Sequence, residues 1–409
     1  MESEGGISVK KAFLLLLSFF LIIGLSGCWS AKELTDLAIT TALGIDKTEE
    51  GYRLTVQVIN PGEIATQTQS TRVSMSTYTT EGKTMFEAFR RLTTVSPRKV
   101  YLAHLRIVIF GEEMAREGIS KPLDVLSRDH EIRTDFALGI AKGMKAEDQL
   151  KILTPLEKVS ANKIFSSIED SEANWAPTKM VKLDELISSL VSDGKEPVMT
   201  GIEAIGSPEV GNSLSNVEKV KSPAMIKINR LGVFKGDKLI EWINEEESKG
   251  FNYITDNIKS TVGFVQCDEG GTVSIEILKN KTRVEGRVKE DVPKINISIN
   301  IEGNIADVEC PIDLSETKTI DQVEKKLSEK TNDIVIASVE KAQELKTDIF
   351  GFGEVIARQY PKEWEKLKGN WPEIFANIEV KTDTTVKIRR VGTITDSFQK
   401  EAKKDAKEE

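Results

Sequence analysis

Few residues in this chain are placed to do chemistry, and the clearest is Cys28, in Leu25-Ser26-Gly27-Cys28. It closes a segment with a basic start (Lys10, Lys11) and an apolar run from Ala12 to Leu25, ending in small residues. A basic start, a short greasy core and small residues before a cut describe a secretory signal peptide. The other nucleophiles and bases are sparse. The chain has 3 Cys and 2 His in 409 residues. Cys267 and Cys310 lie in strand-like contexts. A disulfide is permitted outside the cytoplasm, but two buried free thiols are the expectation here, because two Cys in a body this size make no framework. His104 begins an apolar strand and reads as a partly buried structural side chain. His130, in Arg128-Asp129-His130-Glu131, reads as part of a polar turn.

Cys28 at the cut makes Leu-Ser-Gly-Cys resemble the lipobox of bacterial lipoproteins. In that class the thiol receives a diacylglyceryl group and Cys28 becomes the mature N-terminus. The run Ala12–Leu25 is 14 residues long, short of the ~20 needed to span a bilayer. One acyl chain anchors only marginally and stable anchoring takes two signals; a diacylglyceryl group supplies both.

No catalytic set is visible, and neither a cofactor motif nor a metal-ligand spacing occurs. Gly211-Asn212-Ser213-Leu214-Ser215 fails as a nucleophile elbow at its last position. There is no phosphate-binding Gly-x-x-x-x-Gly-Lys. Gly351-Phe352-Gly353 lacks a third glycine and reads as a bend between helices. Glu245, Glu246 and Glu247 read as the acidic first turn of a helix, favourable at the positive end of its dipole. The net charge of −9 argues against nucleic acid as a partner, which needs a basic face. It also argues against docking on anionic lipid by net charge alone.

The elements follow from periodicity. Strands are predicted at Leu37–Asp46 and Tyr52–Ile59 as a hairpin, then at Val73–Thr80, Leu105–Phe110 and Thr134–Ala141. Helical spacing is read at 84–94, from Glu112, and over 155–193 with a break near Asn174–Pro177. The stretch 60–72, rich in Thr, Gln and Ser, reads as an exposed mobile loop. Strand patterns return at 224–234, 261–267, 272–279, 283–288 and 295–302, an antiparallel meander. A long helix is predicted over 319–346, another from Pro361, and a last strand at Val380–Arg390. The fold class is α+β, a mixed α/β body of about three domains behind a lipoprotein signal peptide, with a C-terminal antiparallel sheet packed by long helices. The predicted division is 1–27 signal peptide, 28–200 N-terminal region, 201–222 linker, 223–398 C-terminal domain and 399–409 disordered polar tail.

Several segments together resemble the Ger(x)C family, the lipoprotein C subunits of bacterial spore germinant receptors. They are Gly27-Cys28-Trp29, Ala42-Leu43-Gly44-Ile45-Asp46, Gly82-Lys83-Thr84, Pro97-Arg98-Lys99 through Leu105, Gly111-Glu112-Glu113, Arg128-Asp129 and Glu131-Ile132-Arg133. In the C-terminal half they are Trp242-Ile243-Asn244-Glu245-Glu246-Glu247, Asp348-Ile349-Phe350-Gly351-Phe352-Gly353, Tyr360-Pro361-Lys362 and Val386 to Gly392. The resemblance spans nearly the whole mature chain in order. It implies a non-enzymatic subunit anchored to membrane lipid through diacylglyceryl-Cys28. Such a subunit assembles with polytopic A and B subunits on the outer face of the inner spore membrane, in a complex that answers nutrients with ion and dipicolinate release. A solute-binding lipoprotein of an uptake system is the alternative, but it needs two lobes of strand–helix units, which the meander fits poorly. A wall-directed hydrolase would need a carboxylate or His-Asp set, and none is found.

Overall fold

Ile107-Val-Ile-Phe-Gly111 and Ala137-Leu-Gly-Ile-Ala141 are buried at every position, the pattern of strands covered on both faces. They lie at the centre of a mixed sheet in this computed structural model, which describes residues 33–65 and 73–390 with 11–14, 16 and 18 of the N-terminal segment. Cys28, the 399–409 tail and most of the predicted loop after Ala65 lie outside the described residues.

The first region contains β1 (Leu37–Lys47), β2 (Tyr52–Ile59), α1 (Pro61–Ala65), β3 (Met75–Gly82), α2 (Met85–Arg91), β4 (Lys99–Tyr101) and β5 (Ile107–Gly111). It continues with α3 (Glu112–Glu117), α4 (Ser120–Arg128), β6 (Ala137–Ala141), α5 (Ala146–Lys151), α6 (Ser160–Asn174), β7 (Val181–Lys182) and α7 (Leu183–Leu190). It ends with β8 (Val198–Gly206), α8 (Pro208–Gly211), β9 (Ala224–Lys235) and β10 (Lys238–Trp242). The sheet order is β10-β9-β8-β6-β5-β1-β2-β3, with β4 beside β1 and β7 beside β6. Period-two alternation splits the central strands between two cores. Val108, Phe110, Leu43 and Ile45 face one with Met114, Leu123 and Leu186. Ile107, Ile109 and Ala42 face the other with Leu150, Ile164 and Ile168. Helices therefore cover both faces, as parallel β1–β5–β6–β8 pairing requires.

The predicted linker, 201–222, holds the second half of β8 and α8. Strands β9 and β10, predicted for the C-terminal domain, complete the first sheet. A Cβ at Gly201 would lie 2.7 Å from the Trp242 ring and 2.9 Å from the Asn229 carbonyl oxygen. This glycine serves close packing.

The second region follows as α9 (Glu245–Ile254), β11 (Thr261–Gln266), β12 (Thr272–Lys289), β13 (Val292–Val308), α10 (Thr317–Glu344), α11 (Phe352–Gln359), α12 (Pro361–Leu367), α13 (Trp371–Phe375) and β14 (Glu379–Arg390). Its sheet runs β11-β12-β13-β14. Helix α10 buries Val323, Leu327, Thr331, Val335 and Val339 at four-residue steps, one stripe of a helix, and packs against β14 and α9.

Two expectations change here. The strands predicted at 272–279 and 283–288 are one, because the Asn280 amide N–H and the Thr282 hydroxyl between them find acceptors in place. Asn280 Nδ2 donates to Asp256 Oδ1 at 3.3 Å and Thr282 Oγ to the Tyr253 carbonyl at 2.6 Å. The sheet is antiparallel only through β13. Strand β14 pairs with β13 in parallel, since α10 to α13 form the long crossover that parallel strands need.

Cys267 and Cys310 form a disulfide, with Cα atoms 6.4 Å apart, contrary to the expected free thiols. Cys267 follows β11 and Cys310 follows β13, the two neighbours of β12, so sheet pairing brings together positions 43 residues apart. Cys310 is fully buried.

Candidate functional site

The resemblance segments sort into two kinds of place: interlocked contacts inside the body, and one open end of the first sheet. Asp46, at the end of β1, accepts from the backbone N–H of Ala146 at 2.7 Å and of Glu147 at 2.9 Å, capping α5. Burial pushes its carboxyl up while those two N–H donors pull it down. Glu112 binds the Trp242 indole N–H at 3.1 Å, the Gly143 N–H at 2.6 Å and Arg116 at 2.7 Å. Burial opposes ionisation of Glu112, but these donors together hold it below the usual range. The Gly111-Glu112 and Trp242 segments, far apart in the chain, thus form one contact. The Glu245–Glu247 run is the predicted helix start: Asn244 Oδ1 accepts from Glu247 N–H at 2.9 Å and Glu247 returns the bond at 2.7 Å, a capping box.

Asp348 is the most enclosed of these residues. Its carboxylate accepts from the N–H groups of Phe350 (3.2 Å), Gly351 (2.9 Å), Phe352 (3.1 Å) and Gly353 (2.8 Å), and from the Trp371 indole at 3.0 Å. Gly351 at φ 79° turns the chain into α11, a left-handed conformation that glycine adopts without strain. Burial pushes the Asp348 carboxyl up to about 6, with the five donors pulling against it. This knot joins the two regions. Glu196 N–H donates to the Asp348 carbonyl at 2.7 Å and Glu354 N–H to the Gly194 carbonyl at 3.3 Å. A Cβ on Gly353 would lie 2.6 Å from the Gly194 Cα, so the two backbones touch. Sequence reasoning marked the Asp348 segment only as a resemblance; an Asp directly ahead of a Phe-Gly-Phe-Gly bend is the signal that could have found its capping role.

The open end is built differently. Lys99–Tyr101 of β4 runs parallel to Leu37–Ile39, the first residues of β1. Lys99 Nζ reaches Glu131 at 2.8 Å, so the Pro97-Arg98-Lys99 and Glu131-Ile132-Arg133 segments meet. Three clefts of about 700, 540 and 440 Å³ surround residues 96–106. The second is a groove between α2 and α4, floored by Phe89, Leu92, Val100 and Leu102. His104 is exposed rather than partly buried: the chain turns out of β4 before β5 begins, and its ring meets Tyr101 edge-on at 5.7 Å. His130 lies in an exposed turn. The two histidines line different clefts. Among the described residues, no group of three or more His, Cys, Asp and Glu could hold a metal ion, and no helix is long and apolar enough to cross a membrane.

Comparison with known proteins places this geometry. Residues 30–204 match the family described as spore germination protein N-terminal domain, and residues 229–392 match spore germination B3/GerAC like, C-terminal. The chain is 33% identical to spore germination protein KC of Bacillus subtilis (strain 168), over 97% of this chain and 100% of that protein. It is 27% identical to spore germination protein B3 of the same organism, over 94% and 100% of the two chains. Among solved structures, the crystal structure of the GerBC protein matches with a TM-score of 0.54 at 22% identity, covering 85% of this chain and 96% of that one. That match supports the multi-domain α+β fold.

Proposed function

The chain belongs to the Ger(x)C family of spore germination proteins, and we propose that it is the lipid-anchored C subunit of a nutrient germinant receptor. On this reading Cys28 carries a diacylglyceryl group. The body stands on the outer face of the inner spore membrane and works there with polytopic A and B subunits, without catalysing a reaction. The observation that carries the proposal is the relationship to spore germination protein KC along the full length of both chains. A shared single domain would leave the rest of the body free for another role; end-to-end correspondence does not. The lipobox supports the anchor independently, and the resemblance segments hold helix ends, junctions and one surface rather than a reactive cluster.

The test is nutrient-triggered dipicolinate release from spores lacking the gene. Release lost for particular nutrients, but retained with a direct calcium–dipicolinate trigger, is the expected result. Unchanged release for every nutrient, in spores also lacking paralogous C subunits, rejects the reading. The anchor is tested separately: Cys28→Ala is expected to move the protein out of the membrane fraction, and a variant that still sediments with membranes overturns lipidation as the tether.

A further inference from the structure

We propose that the open end of the first sheet, around the groove between α2 and α4, docks on an anionic phospholipid surface. The inference deepens the proposed function and rests on it for the tether. Cys28 lies nine residues before Leu37 (37 − 28), so an extended connection spans at most about 30 Å. β1 begins there in register with β4, directly after Pro97-Arg98. A lipid on Cys28 therefore holds this end, and not the opposite one, within reach of the bilayer.

The side chains fit that neighbour. Phe86, 60% exposed, stands at the apolar groove of about 540 Å³, and Val95, 44% exposed, follows the same helix in the chain. Two arginines at the groove, Arg90 and Arg98, form no ion pair with a described carboxylate: Arg90 lies over the Phe86 ring at 4.9 Å and Arg98 is exposed. A third, Arg106, lines the neighbouring cleft with Asp135 and lies over Phe165 at 5.1 Å. Two further cations there, Lys99 and Arg128, are paired with Glu131 and Asp124. At the far end of β1 the balance reverses: the cleft there is lined by Glu49, Glu50, Glu81, Glu113 and Glu117 against Lys47, Arg53, Arg116 and Lys145. An acidic protein has placed guanidinium groups without ion-pair partners among the described residues, and an exposed phenyl ring, where its tether begins. Guanidinium groups bind phosphate readily, and aromatic and basic side chains together suit the membrane interface.

The experiment uses the full lipidated chain in vesicles of phosphatidylcholine, with or without phosphatidylglycerol, and a lipid-borne quencher. A thiol fluorophore is placed at the groove by Thr93→Cys or, as control, on the outer face of the second sheet by Thr385→Cys. Quenching at Thr93 but not Thr385 is expected with phosphatidylglycerol, falling by roughly an order of magnitude in phosphatidylcholine alone and in the double variant Arg90→Glu, Arg98→Glu. A chain that floats with vesicles while its Thr93 label stays unquenched overturns the docking face and leaves the anchor standing. Quenching equal in both lipids, or shielding of Thr93 only when the polytopic subunits are co-reconstituted, also overturns it. Quenching that persists with phosphatidylglycerol in Cys28→Ala keeps the face and removes the need for the anchor.

Discussion

The knot at Asp348 and the open end at Arg98 carry resemblance segments of similar length, yet they treat charge in opposite ways. At the knot one buried carboxylate is met by five N–H donors, four from one helix start and one from a tryptophan indole. At the open end Arg90 and Arg98 stand exposed without an ion pair to any described carboxylate, Arg90 over the face of Phe86. A buried charge without partners would unfold the region around it, so the knot must be complete within the chain. An exposed cation costs little to leave unpaired, so the open end can be kept for a neighbour. The same kind of recurring segment therefore means architecture in one place and a surface in the other.

That contrast breaks first if the knot proves dispensable. Asp348→Ala strands five donors in a dry site, and about 4 kcal/mol or more of stability is expected to go, read by urea unfolding. A loss under ~1 kcal/mol would show that the knot does not hold the two regions together. Its pH dependence is a finer probe. The folded carboxyl is raised from 3.8 to about 6, so the folded state binds a proton more tightly than the unfolded one. Asp348's contribution is then fully present at low pH and is lost as pH rises from about 4 through 6. Wild type is expected to gain on Asp348→Asn as pH falls through that window; a gap that narrows instead would mean that the five donors outweigh burial.

Reducing the Cys267–Cys310 bond, or replacing both residues by Ser, is expected to cost about 2–4 kcal/mol, for a link that closes a long loop. Unfolding curves with and without reductant measure it, and identical curves would mean that the thiols are free. Asn244→Ala removes the capping box of α9 and is expected to cost about 1 kcal/mol. The smallest effect belongs to the open end. Arg90→Glu with Arg98→Glu should change stability by no more than about 0.5 kcal/mol while removing lipid contact. A large loss of stability there would make the arginines structural and dissolve the contrast.

Much of the fold was legible because it is local. The β1–β2 hairpin, the buried strands β5 and β6, the stripe of α10 and the acidic start of α9 each follow from periodicity or capping within one turn of chain. Most of the misreadings concern partners distant in sequence. The stretch 201–222 looked like linker because the strand its first residues pair with, β9, begins only beyond it at Ala224. Asn280 and Thr282 looked like a turn because their acceptors belong to the end of α9 and the residues just after it. His104 looked buried because its neighbours are apolar, although the chain leaves the sheet at that residue.

By itself the sequence supplied the Leu-Ser-Gly-Cys pattern that ends at Cys28, the lack of a recognisable catalytic motif, the main strands and helices and the α+β class. These depend on residue type and short spacing. Tertiary structure alone decided that Cys267 meets Cys310, that β9 and β10 close the first sheet, that β14 returns in parallel and that Asp348 locks two regions. It also decided where charge collects. A net charge of −9 says nothing of position, and only folding sets Arg90 and Arg98 near the start of β1 with a cleft of interlocked acids and bases at its far end. Pairing across long loops depends on which faces can be buried together, and that is a property of the whole chain rather than of any window within it.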